Sequence, residues 1–148
     1  MKHLVHLVKR FVSSWSRKDV TKSELNMVHS TLTTSEFNLW NQFGIADRRH
    51  SVEVAKRFAE LLPEASREHR AGVLLHDIGK IQSNLSTLMR VVATLVGPRT
   101  KRFALYHQHE EIGITMLRHA GSHGDVIAVL NQTCSEEVAA AFLEADNI

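Results

Sequence analysis

His76 and Asp77 are adjacent in the run from Ala71 to Lys80, AGVLLHDIGK. Laid on a helix at about 100° per residue, Ala71, Leu74, Leu75 and Ile78 make one apolar stripe. His76, Asp77 and Lys80 fall on the other side, with Val73 among them. A solvated polar face is the simplest account of a lone histidine or aspartate. An adjacent pair followed by Gly79 and Lys80 calls for partners. His50 is the first of these. It lies on the preceding helix, and the short connection around Pro63 makes the two helices antiparallel neighbours. His50 and His76 are about equally far from that turn, so they come level. Asp146 is the second. It continues a stripe of Ala139, Phe142 and Leu143, and a carboxylate facing a core needs a partner because an unpaired buried charge is costly. The competing reading is that the last helix frays and Asp146 is solvated. Two imidazoles and two carboxylates from three helices suit a hard-to-borderline divalent ion: Mn, Fe, Co, Ni, Zn or Mg. Four protein ligands on an octahedral ion leave two positions for water and substrate. Such an ion lowers the pKa of a bound water or polarises a phosphoryl oxygen.

The elements that must position these residues are all helices. Residues 1–18 carry an apolar stripe of Leu4, Val8, Phe11 and Trp15. Thr21-x-x-Glu24 and Thr33-x-x-Glu36 read as capping boxes, the first opening a helix through about Ser30. The second opens a helix with Phe37, Trp40 and Phe43 on its apolar side, closed near Gly44. Asp47 is the expected N-cap of the His50 helix, which runs to Leu62 with Val52, Ala55, Phe58 or Ala59, and Leu62 as its core stripe. The next helix starts near Ala65 and is expected to carry His76 and Asp77 through to about Gly79. Residues 84–96 are strongly apolar, a core helix or a dimer contact, stopped by Gly97-Pro98. The basic connector Arg99, Lys101 and Arg102 follows. Further helices are expected from His109 to Ala120-Gly121, Asp125 to Gln132 and Ser135 to Asp146. No alternating strand pattern, repeat or low-complexity tract interrupts them. The fold class is all-α, a single-domain helical bundle.

Composition narrows the function classes. The chain has 148 residues, 43% of them apolar, and a net charge of +2, too small by itself to imply nucleic acid. No aromatic residues interleave the basic ones, which gives nucleic-acid binding no clear support. Cys134 is the single cysteine, so no intramolecular disulfide forms, which fits a reducing, cytoplasmic setting. No run of about 18 apolar residues is present. Lys9 and Arg10 break the apolar part of residues 1–18, which argues against a signal peptide. Membrane contact through that segment is the lesser expectation beside packing on the domain itself. Cys134 has no histidine beside it and no motif around it, so it does not read as a nucleophile.

The order His50, then LLHDIGK at Leu74 to Lys80, then Asp146 in FLEAD resembles the HD-domain superfamily of metal-dependent phosphohydrolases, of the HDIG type. The segments DRRHSVEVA from Asp47 and HEEIGITMLRHAG from His109 extend the resemblance to roughly two thirds of the chain. It implies a helical domain over 47–148, with residues 1–46 packing on or extending it. It also implies one metal centre with His50, His76, Asp77 and Asp146 as ligands. The family's motif aspartate, here Asp77, can serve the metal and its bound water. The lysine after HDIG, here Lys80, commonly binds the substrate's phosphate, and a lysine on the same face as His76 suits that task. His109 matches the first extra histidine of two-metal relatives and is a candidate for phosphate or a second, weaker metal. Arg49 is a further phosphate candidate, as is its neighbour Arg48. The His-His pair expected farther on is replaced by Val129-Leu130-Asn131-Gln132-Thr133-Cys134, and the GYP element is absent. Both argue against a full binuclear site and against cyclic-di-GMP hydrolysis. The expected activity is hydrolysis of a phosphomonoester or phosphodiester, such as a nucleotide. The alternative is a catalytically weakened module that binds a nucleotide or a protein partner.

Overall fold

The computed structural model describes residues 18–83 and 108–147, together with Val5, Val92, Thr94, Leu95 and Gly97. The expected helices of residues 1–18 and 84–96 and the connector Arg99, Lys101 and Arg102 lie outside these but for those few positions and Lys18. Among the described residues there is no strand, and the fold is all-α. The helices are α1 (Lys22–Thr31), α2 (Thr34–Trp40), α3 (Ile45–Leu61) and α4 (Arg67–Leu75). A 3₁₀ turn (Ile78–Ser83) follows, then α5 (His109–His119), α6 (Gly124–Leu130) and α7 (Glu136–Asp146).

Both capping boxes form. Thr21 Oγ1 accepts from Glu24 N–H while Glu24 accepts from Thr21 N–H, and Thr33 and Glu36 exchange the same pair. Each cap is worth about 1 kcal/mol. Glu36 is buried, and Arg67 of α4 reaches it at 3.5 Å while donating to the Thr31 carbonyl at 2.8 Å. The start of α4 is thereby tied to the α1–α2 corner.

α4 is the central element, packed against α1, α2, α3 and α6. Every residue from Ala71 to Lys80 is buried, so no face of this run is solvated. Gly72 explains the close crossing with α6: a Cβ there would stand 2.7 Å from the Val126 carbonyl oxygen and from Val129. Burial of Val73, Leu74, Leu75 and Ile78 against Val126, Val129, Leu117 and Phe58 makes the core. At about 1.5–3 kcal/mol per fully buried large aliphatic side chain, this fixes α4 in place.

Two helix boundaries and one helix face differ from expectation. Gly44, not Asp47, is the N-cap of α3 and makes no side-chain cap bond. Asp47 falls in the first turn, where its charge complements the helix dipole. α4 ends at Leu75 rather than continuing to Gly79. On α7 the buried stripe is Val138, Phe142 and Ala145, while Leu143 is exposed. That rotation moves Asp146 from the centre of the buried face to its edge.

Candidate metal centre

α3 brings the first histidine. Its N-terminal turn is clamped to α2: Trp40 Nε1 donates to Ser51 Oγ at 2.9 Å, and Ser51 donates on to the Arg48 carbonyl at 2.9 Å. Arg48 lies over the Trp40 ring at 5.6 Å and bonds Asp19 and the Asn41 carbonyl. Arg48 thereby ties α3 to the α2–α3 corner. His50 follows on the next turn, and its ring sits 5.7 Å from that of His76.

His76 occupies the C-cap of α4. The last carbonyls of a helix lack intrahelical partners, and His76 supplies one. Its Nδ1 is 2.7 Å from the Val73 carbonyl oxygen. A carbonyl only accepts, so Nδ1 carries the proton and Nε2 is left to face the interior. Phe142 stands edge-on to the ring at 5.1 Å and fixes its plane. Neither the Val73 carbonyl nor Phe142 was legible as a site partner. A histidine three residues past an apolar helix position, just before a break, was the available signal.

Nε2 of His76 is buried and makes no hydrogen bond of adequate geometry. Yet Asp146 Oδ1 lies 3.4 Å from it and Asp77 Oδ2 3.6 Å. His50 Nε2 reaches the same Asp146 oxygen at 3.1 Å. One ligand atom each from His50, His76 and Asp77 lies within 4.8 Å of the others. Bonds of about 2.1 Å to one ion place its ligands roughly 3 to 4 Å apart, so small adjustments let these atoms share it. Asp146, outside that group of three, adds its oxygen from the edge of α7.

The donors fit a divalent ion on electrostatic grounds as well. In its neutral form His76 Nε2 is a lone pair facing two carboxylates, a set that requires a cation. In the metal-free protein a proton fills that role. Burial opposes charge on His76, but the carboxylates of Asp77 and Asp146 and the Val73 carbonyl outweigh it and raise its pKa above the usual 6.5. Burial likewise works against the Asp146 carboxylate. Its hydrogen bond with His50 and the close approach of the His76 ring prevail and hold it well below the usual 3.8.

The raised His76 pKa contributes stability that is complete below about pH 6.5 and is lost as pH rises through the raised value. Depressed Asp146 contributes stability that is present above about pH 4 and is lost as pH falls toward its folded value. Because a metal competes with the His76 proton, Mn²⁺ affinity is expected to rise as pH climbs from about 6.5 through the raised His76 value. Over the same interval the melting temperature of the metal-free protein should fall. Isothermal titration and thermal denaturation at several pH values measure both, and a flat Mn²⁺ affinity would show that Nε2 does not bind the ion.

The 3₁₀ turn carries Lys80, and α5 carries His109. Lys80 Nζ bonds Asp77 Oδ2 at 2.6 Å, and the lysine is buried rather than standing at a cleft mouth. His109 Nε2 approaches the other oxygen, Asp77 Oδ1, at 3.6 Å. Arg49 is half-buried beside His50 on α3. His123 caps α6 by accepting from Asp125 N–H, away from this cluster in role. Burial pushes the Cys134 thiol up, the wrong direction for a thiolate nucleophile. A separate cleft of about 770 Å³ lies between α2 and α5, lined by Asn38, Gln42, Gln82, Thr115 and His119 among others. None of the four expected ligands lines it. No helix among the described residues is long and apolar enough to cross a membrane.

A family model of the HD domain matches residues 48–144. No curated protein and no solved structure matches the chain. The family match contains His50, His76, Asp77, Lys80 and His109 and stops just before Asp146. Because it spans well over half of the sequence, the chain belongs to the HD-domain superfamily of metal-dependent phosphohydrolases.

Proposed function

We propose that the protein hydrolyses a small phosphomonoester or phosphodiester, a nucleotide being the leading class, at one divalent ion held by His50, His76, Asp77 and Asp146. The observation that carries this reading is the His76 ring. Its Nδ1 is committed to the Val73 carbonyl, and its buried Nε2 is turned on two carboxylates. A divalent ion in that position supplies an acidified water and polarises the phosphoryl oxygen. The protein's own groups do the rest. Asp77 Oδ1, the oxygen turned toward His109, is the proposed acceptor for the proton of the attacking water. His109 Nε2, 3.6 Å from that oxygen, is the proposed partner of a phosphoryl oxygen. Arg49 is assigned the remaining phosphoryl charge, since a guanidinium pairs with phosphate in a fixed fork.

The test is hydrolysis of generic phosphomonoesters and phosphodiesters by protein purified without chelator and loaded with Mn²⁺, Co²⁺, Ni²⁺ or Mg²⁺. Turnover is expected in the wild type and is expected to fall to background in Asp77→Ala. Activity that survives in Asp77→Ala with metal content unchanged would sink the reading. Metal-loaded wild type that binds nucleotides and turns none over would favour a regulatory binding module instead.

A further inference from the structure

A lysine that meets substrate must be reachable from the substrate's side. Lys80 is not: only 5% of it is exposed, less than either His76 or Asp77. Its ammonium bonds Asp77 Oδ2 at 2.6 Å, the length of a strong charge-assisted bond. Drawing it away would strand a buried carboxylate. The backbone makes this pairing. Lys80 N–H bonds the Asp77 carbonyl at 3.0 Å, an i to i+3 step, as the chain passes from α4 into the 3₁₀ turn. At three residues per turn, side chains at i and i+3 eclipse, whereas on an α-helix they are offset by about 60°. The break at the end of α4 therefore sets Lys80 directly over Asp77.

That bond governs how Asp77 presents itself. With Oδ2 pinned by Lys80, the carboxylate plane is fixed. Oδ2 keeps a face toward His76 Nε2 at 3.6 Å, and Oδ1 is turned toward His109 Nε2 at 3.6 Å. Without the pin, Asp77 loses one restraint on its two side-chain torsions and can turn further toward either histidine. We propose that Lys80 is a positioning residue, which orients Asp77 as a ligand for the divalent ion and does not bind the substrate's phosphate. This inference rests on the metal reading above and assigns a role within it.

Full-length, metal-free protein is titrated with Co²⁺ by calorimetry, and binding of inorganic phosphate to the Co²⁺-loaded protein is measured separately. Wild type, Lys80→Met, Lys80→Arg, Asp77→Asn and the Lys80→Met/Asp77→Asn double variant are compared. Loss of an outer partner of a ligand typically costs about 10–100-fold in metal affinity, and that loss is expected in Lys80→Met. Lys80→Arg, which keeps the charged donor, is expected to recover most of it. In the Asp77→Asn background Lys80→Met should add less than about twofold, because residues acting as a unit are not additive. Phosphate affinity should be unchanged. The inference is overturned if Lys80→Met binds Co²⁺ as wild type does or more tightly. It is equally overturned if phosphate affinity falls about tenfold while Co²⁺ binding holds. Should Lys80→Met lose its helical circular dichroism, Lys80→Gln takes its place in every comparison. Wild type that binds no Co²⁺ would overturn the metal reading and this inference together, whereas tight wild-type binding with an indifferent Lys80 would overturn this inference alone.

Discussion

Replacing His76 by alanine is expected to abolish metal binding and hydrolysis together. Of the four proposed ligands, His76 is the one whose donor atom has been prepared for a metal on every side. The Val73 carbonyl fixes the tautomer, Phe142 fixes the plane, and the two carboxylates supply the field. Losing even an outer partner of a ligand costs about 10–100-fold in affinity, so losing the ligand itself should exceed a hundredfold. The cost to the fold is smaller. The Val73 carbonyl loses its partner and a ring-sized space opens beside Phe142, which together amount to about 2–4 kcal/mol. His76→Ala should therefore remain folded at low temperature, with metal content near zero by elemental analysis. His76→Gln, which retains a donor for the Val73 carbonyl, should recover part of the stability and none of the metal. Wild-type metal content in both variants would remove His76 from the site.

The residues of this centre were legible in sequence because each has a cause that acts locally or along one helix. Thr21 and Thr33 announce helix starts through hydrogen bonds that span three residues, so the pattern alone carries them. His50 and His76 come level because two helices of known length meet across a short turn. What was not legible depends on tertiary geometry. The end of α4 at Leu75 was hidden because the apolar positions Leu74, Leu75 and Ile78 continue the helical period through the break. An i, i+3 relation is common to the α-helix and the 3₁₀ turn, so periodicity does not separate them. Lys80 was assigned to phosphate by the family resemblance and by its place on the same face as His76 and Asp77; that the tighter turn sets its ammonium on Asp77 was not legible. Arg48 and Arg49 are alike by type, and the contacts of Arg48 with Trp40, Asn41 and Asp19 are tertiary, so the sequence did not show them. Asp146 was placed mid-stripe, whereas the exposed Leu143 shows that α7 is rolled and that Asp146 meets the histidines from the rim.

Gly79→Ala is expected to be the most damaging addition of a single methyl group. A Cβ at this position would overlap the carbonyl oxygen of His109, and would stand 2.6 Å from its carbonyl carbon and 2.8 Å from Gly113 N. All three are backbone atoms, so no change of rotamer relieves the contact, and the 3₁₀ turn and the first turn of α5 must separate. Ordinary overpacking costs about 1–3 kcal/mol, and a clash with backbone belongs at or above the top of that range. For a chain of this size about 3 kcal/mol lowers the melting temperature by roughly 6–12 °C. Gly124→Ala is the matched control: nothing lies within 4 Å of its added methyl, and an alanine inside a helix is neutral or mildly stabilising. The separation also has a chemical consequence. His109 reaches Asp77 Oδ1 only because the two backbones touch at Gly79, so forcing them apart moves His109 from the oxygen proposed to handle the water's proton. In Gly79→Ala that remains folded, turnover should fall more steeply than metal affinity, since His50, His76 and Asp146 stand on other elements. Equal melting temperatures for Gly79→Ala and Gly124→Ala would show that the approach of the 3₁₀ turn to α5 is not tight, and with it the account of why a glycine follows the histidine–aspartate pair would fall.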